Sequence, residues 1–190
     1  MKERIHCLHL SKRQDRYDAL QLQFKLQGIT DVMYFEGEVH KHNRKRGITV
    51  GFQKIIQYAK DNDLDRCTII EDDLSFFHPN SFDYYLSQIP DDYDVFWSMV
   101  FVGSHDDSFR INSTCSGMTL LTVHNRFYDF ILNMNPDVHI DRYLTSLHKE
   151  FVFKVCPLVP CTQSGSFSDN SLTTCDYSPL LKGRKIYGKD

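Results

Sequence analysis

An α/β fold with a mostly parallel central sheet flanked by helices is what the sequence predicts, and three observations predict it. Residues 5–10 form a short apolar-rich run that stops at Ser11, after which Tyr17, Leu20 and Phe24 recur at helical spacing until Gly28. Residues 32–35 supply a second short strand. Phe52, Ile55, Ile56 and Ala59 then follow the i, i+3, i+4, i+7 rhythm of a helix with one buried face, and the wholly apolar residues 67–70 follow them as a strand. A βαβαβ opening of this kind implies parallel strands covered by helices on both faces.

The elements between follow from local chemistry. Residues 36–46 are polar and read as a loop, with Thr49 as the cap of the next helix and Asp61-Asn62 as its end. Phe82, Tyr85, Leu86 and Ile89 predict a short helix closed by Pro90, and residues 94–102 (DVFWSMVFV) a central strand carrying Trp97 into the core. The turn STCSG leads into the strand MTLLTV, residues 125–133 and 140–148 are expected to be helical, and residues 151–155 a strand. One domain is expected over residues 1–190, with 157–190 an irregular segment too long for an ordinary connection, which therefore wraps the domain or covers a site.

A chain with 41% hydrophobic and 13% aromatic residues can build one sizeable core. Its net charge of -3, from 22 basic and 25 acidic residues, excludes a global electrostatic pull toward nucleic acid or an anionic membrane. The N-terminal residues lack the apolar run of a secretion signal, and no stretch reaches the roughly 18 apolar residues of a membrane span. A soluble, cytoplasmic protein with reduced cysteines is the expectation.

The segment CTIIEDDLSFF places Glu71, Asp72 and Asp73 at the carboxyl end of a buried strand. Ligands of open α/β sheets bind there. Adjacent carboxylates repel one another, so three together call for a cation or a set of donors, and oxygen ligands suit Mg²⁺ or Mn²⁺. The plainer alternative is a solvated acidic loop that ends a strand.

This acidic segment resembles the corresponding motif of glycosyltransferase family 25, which contains lipopolysaccharide-type galactosyltransferases. Residues 9–16 (HLSKRQDR) are similar to its opening L-x-x-R-x-D-R, and residues 115–121 (CSGMTLL) followed by Val138-His139-Ile140-Asp141 to its later turn, strand, helix and acidic segment. Pro157-Leu158-Val159, Gln163 and Ser168-Asp169 resemble its closing motif. The order spans residues 4 to about 170, with one departure: Gly51-Phe52 stand where the family has Ser-His.

The resemblance implies a GT-A-like fold and an inverting transfer of a sugar from a nucleotide-sugar donor, a UDP-sugar by preference, to a glycan or other hydroxyl acceptor. It implies Mn²⁺ or Mg²⁺ held by Asp73, with Asp169 completing the shell from the tail. Glu71 and Asp72 would hold ribose or metal-bound water; Ser11, Arg13 and Arg16 would face the donor, where guanidinium forks match phosphate. Asp141 would be the base that takes the acceptor's proton, or otherwise an ordinary acid in a helix's first turn. The basic run of residues 40–46 either grips an anion or is solvated loop. The rival functions are a Mg²⁺-dependent phosphohydrolase, which would want a nucleophilic Asp where Ser11 stands, and a noncatalytic nucleotide- or sugar-binding relative.

Overall fold

The computed structural model describes residues 3–40, 42–169 and 172–189. Six strands make the central sheet: β1 (Ile5–His9), β2 (Val32–Glu36), β3 (Arg66–Glu71), β5 (Val95–Trp97), β6 (Leu120–His124) and β7 (Phe153–Val155), in the order β2-β1-β3-β6-β5-β7. β1 is parallel to β2 and β3, and β5 to β7. β6 alone runs against its neighbours β3 and β5. The mostly parallel α/β architecture expected from the opening pattern is the one observed.

The period-2 alternation of each strand divides the core. On one face Ile69, Trp97 and Leu121 pack with α2 (Arg44–Asp61), α4 (Tyr128–Asn133) and α5 (Ile140–Ser146). On the other, Cys7, Ile70 and Phe96 pack with α1 (Gln14–Gln27) and α3 (Ser81–Ser87). Trp97 is core, as expected, and Cys7, Cys67, Cys115, Cys156 and Cys161 are buried free thiols. Among the described residues no helix is long and apolar enough to cross a membrane.

α1 ends where the sequence says it should. Gly28 adopts a left-handed φ of 61°, its N–H donates to the Lys25 carbonyl and that of Ile29 to the Phe24 carbonyl, which satisfies the last carbonyls of the helix.

Two expectations fail, each for a local reason. Thr49 is no cap: α2 begins a turn earlier, and the buried Thr49 hydroxyl donates to the carbonyls of Lys45, in its own helix, and Val138. The loop before α2 is correspondingly shorter than residues 36–46; of the basic run, Lys41 lies outside the described residues. Residues 94–102 are not one strand. β5 stops at Trp97, and the buried Met99, Val100 and Phe101 form a loop that meets residues 115–117, with Gly103 and Gly117 both at positive φ. A Cβ on Gly103 would sit 2.4 Å from Cys115 Sγ, so the approach requires glycine. Burial of this apolar run comes from a loop against a loop rather than from a ladder.

Gly51 and Phe52 also gain a physical account. A Cβ on Gly51 would come within 2.5 Å of Leu8 Cδ1, so glycine lets α2 lie close on β1, while Phe52 is buried in the core beneath it.

The tail forms β8 (Cys161–Gln163), β9 (Ser166–Ser168), β10 (Thr173–Cys175) and a 3₁₀ turn, Ser178–Leu181. β8 pairs antiparallel with β4 (Leu74–Phe76), the strand directly after the acidic triplet. This pairing brings the tail back over the carboxyl end of β3.

Candidate active site

β1 and β3 end side by side, and the loops that leave them put His9, Arg16 and the triplet into one cleft of about 780 Å³. Asp72 is buried and fully engaged. Its Oδ2 meets His9 Nδ1 at 2.9 Å and accepts from the Leu10 N–H at 3.3 Å, while its Oδ1 accepts from Arg16 Nη1 at 2.6 Å. The same Arg16 nitrogen lies 3.3 Å from Asp73 Oδ2. One guanidinium thus bridges two neighbouring carboxylates and offsets their repulsion.

Asp73 keeps one oxygen in hand. Its Oδ1 is buried with no hydrogen-bond partner among the described residues. Burial raises the Asp73 carboxyl above the usual range, against the lowering effect of Arg16 and with a further push from Asp72. Glu71 is pushed up more strongly, by burial first, then by Asp73, Asp141 and Asp72; a hydrogen bond from Gln163 Nε2 to its Oε2, 2.9 Å, pulls the other way.

The tail closes one side of the cleft. Arg13 Nη1 donates to the Phe167 carbonyl at 2.8 Å and to Asp169 Oδ2 at 2.7 Å, Lys12 Nζ lies 2.7 Å from Asp169 Oδ1, and Arg16 Nη2 donates to the Phe167 carbonyl at 3.0 Å. Burial alone would raise the Asp169 carboxyl, but Lys12 and Arg13 outweigh it and hold it below its ordinary value. Ser11 is drawn elsewhere: its N–H and hydroxyl both donate to Glu36.

Asp141 stands in a second cavity of about 860 Å³ that shares Ile48, Glu71, Gln163 and Tyr177 with the first. Its Oδ2 accepts from the Gly117 N–H at 3.0 Å and its Oδ1 from the Arg142 N–H at 2.8 Å. The structure therefore gathers Arg16, Glu71, Asp72, Asp73 and Asp169 around one cleft, puts Asp141 next door across Glu71, and turns Ser11 and Arg13 toward Glu36, Asp15 and the tail. His9 and Tyr177 were not singled out for the site by sequence. His9 lies near the end of an apolar run, four and seven residues before Arg13 and Arg16, with no pattern to mark it, and Tyr177 sits in a tail without periodicity.

No family model matches the chain, and no curated protein matches it. Solved structures do. The catalytic domain of Drosophila β1,4-galactosyltransferase 7, solved as a complex with xylobiose, aligns with a TM-score of 0.50 at 12% identity, covering 100% of this chain and 82% of that one. A197 from STIV aligns with a TM-score of 0.50 at 14% identity, covering 82% of this chain and 81% of that one. The fold is GT-A-like.

Among the described residues no three His, Cys, Asp or Glu side chains are grouped to hold an ion by themselves. A magnesium-type cation does not need such a cage, because it binds through one or two carboxylates plus substrate phosphates. The buried, partnerless Oδ1 of Asp73 fits that requirement. Asp72 has its oxygens occupied, and Asp169 has its charge balanced by Lys12 and Arg13.

Proposed function

We propose that the chain is a glycosyltransferase that moves a sugar from a nucleotide-sugar donor, a UDP-sugar by preference, to a hydroxyl of a glycan acceptor with Mn²⁺ or Mg²⁺ present. The observation that carries the reading is the partnerless buried oxygen of Asp73 beside Arg16, at the sheet end where open α/β folds bind ligands. The GT-A-like fold supports it, as does the ordered resemblance of four segments to glycosyltransferase family 25. That the similar galactosyltransferase was solved with xylobiose agrees with a saccharide acceptor.

Asp73 holds the cation in this reading, with Asp169 joining only if it leaves Lys12 and Arg13. A bound cation supplies positive charge for the diphosphate that departs. Arg16, fixed by Asp72, adds a second positive charge that is already oriented, so little reorganisation accompanies reaction. Arg13 and Lys12 take diphosphate oxygens in exchange for Asp169. Glu71, carrying a raised carboxyl, sits between the two cavities and hydrogen-bonds a donor hydroxyl. Asp141, fixed by two backbone N–H groups, receives the proton of the attacking acceptor hydroxyl. A single displacement with one base inverts the anomeric carbon. The hydrolase alternative lacks its nucleophile, since Ser11 occupies the relevant strand end and is bonded to Glu36.

Thermal unfolding with UDP, GDP and CDP, each with and without Mn²⁺, tests this reading. It expects a rise in Tm with UDP that grows when Mn²⁺ is added, because a ligand that binds only the folded state stabilises by mass action. Insensitivity to every nucleotide would count against it.

A further inference from the structure

The second cavity contains groups that the donor chemistry leaves unused. One wall is Tyr177 stacked on Phe101, with ring centroids 5.0 Å apart and planes at 21°. The rim carries Lys45, His139 and Arg142. Arg142 differs from the other arginines whose side chains are described. Arg4, Arg13, Arg16, Arg46, Arg66 and Arg126 are paired with carboxylates, and Arg110 and Arg184 donate to carbonyls. The Arg142 backbone N–H is bonded to Asp141, but its guanidinium makes no hydrogen bond or ion pair with any described residue. The Lys45 ammonium and the His139 ring have no partner among the described residues either. These groups line the same cavity: after burial, the charge on Lys45 is the next cause that lowers the His139 imidazole, Asp141 acts against it, and Arg142 acts in the same sense as Lys45.

Two like charges and an imidazole at one rim repel each other, and Asp141 in the same cavity, its oxygens already accepting from the Gly117 and Arg142 N–H groups, does not prevent the lowering of His139. An anion would offset them. A guanidinium fork suits a carboxylate or phosphate with two parallel hydrogen bonds, and an aromatic wall suits the apolar face of a sugar ring.

We infer that this cavity receives an acidic saccharide, bearing a carboxylate or a phosphate ester, whose acid group is taken by Arg142 with Lys45 and His139 beside it and whose ring lies against Tyr177. The inference rests on the transferase reading and gives its acceptor a chemical class. The acid group on Arg142 leaves a ring hydroxyl to face Asp141, which lines the same cavity.

Titration calorimetry on the full chain in the presence of UDP and Mn²⁺ tests it, with methyl β-D-glucuronide, glucose 6-phosphate and the neutral methyl β-D-glucoside as probes. At least one acidic probe should bind about tenfold tighter than the neutral one, as expected for a charge-assisted fork, and the tighter of the two distinguishes carboxylate from phosphate. Arg142→Ala should remove the preference and Arg142→Lys retain part of it, whereas Arg110→Ala, at a residue that does not line the cavity, should keep it whole. Equal binding of neutral and acidic probes, binding of neither acid, or a preference that survives in Arg142→Ala overturns the inference. UDP binding is read separately in the same protein: UDP bound with the acids ignored refutes the acidic acceptor alone, and UDP unbound refutes the donor reading and this inference with it.

Discussion

Arg16 Nη1 lies 2.6 Å from Asp72 Oδ1 and 3.3 Å from Asp73 Oδ2, so a single side chain of α1 bridges the two aspartates that end β3. All three side chains are nearly buried, and removal of the cation leaves two carboxylates facing each other out of water. Arg16→Met should lower the free energy of unfolding by about 3 kcal/mol, in the range for breaking a buried pair from one side. Urea denaturation measures it. Adding Asp72→Asn should recover part of the loss, because the orphaned charge is then gone; two additive losses would show that the bridge does not couple them.

Asp169 occupies the cations that the proposed diphosphate needs. Asp169→Asn frees Lys12 and Arg13 of a competing charge, and affinity for inorganic pyrophosphate without metal should rise several-fold, following the strength of a charge-assisted hydrogen bond. Calorimetry reads the change. An affinity equal to that of the unaltered chain would place the diphosphate away from both cations.

His6 gives the fold a pH dependence independent of the site. It is 1% exposed, its Nδ1 faces the Thr68 carbonyl at 3.2 Å, and its Nε2 has no partner among the described residues. Burial lowers its pKa below the ordinary imidazole value of about 6.5. The unfolded chain therefore binds a proton at His6 where the folded chain does not, and stability falls as pH drops below about 6.5 toward the lower folded value. His6→Asn should flatten that part of the stability curve. The same slope in both proteins would remove His6 as its source.

Two glycines of α2 have different neighbours, Gly47 the loop after β2 and Gly51 the strand β1. A Cβ on Gly47 would lie 1.9 Å from the Glu38 carbonyl oxygen, which is backbone, whereas on Gly51 it would meet the end of the Leu8 side chain. Alanine in a helix gains about 1 kcal/mol over glycine, and overpacking costs about 1–3 kcal/mol. Gly51→Ala should therefore be near neutral or mildly destabilising, and Gly47→Ala clearly worse. The order of their denaturation midpoints decides the matter.

How far the sequence reveals this molecule depends on the range of the interactions involved. The alternation that sends Ile69 and Ile70 into opposite cores, the Gly28 stop and the position of the triplet at a strand end are local, and all three are legible. Thr49 misleads because α2 starts a turn before it, and its hydroxyl serves the carbonyls of Lys45 and, 89 residues away, Val138 rather than the N–H groups of a helix start. The apolar run after Trp97 misleads because hydrophobicity reports burial, and a loop bound by glycines buries residues as well as a strand does. The tail is the least legible part. Gln163 on Glu71 and Asp169 on Arg13 join residues 92 and 156 positions apart, and no periodicity in a segment of short strands announces such pairings.

The central claim is that Asp73 gives this sheet end a place for a cation that answers a nucleotide's diphosphate. Calorimetric titration of UDP into the protein with and without Mn²⁺, repeated in Asp73→Asn, tests it most directly. The account predicts that Mn²⁺ tightens UDP binding about tenfold or more in the unaltered chain and has no effect in the variant, which still folds because Arg16 remains paired with Asp72. UDP binding that ignores Mn²⁺ in the unaltered chain, or that responds to it equally in both proteins, would contradict the account.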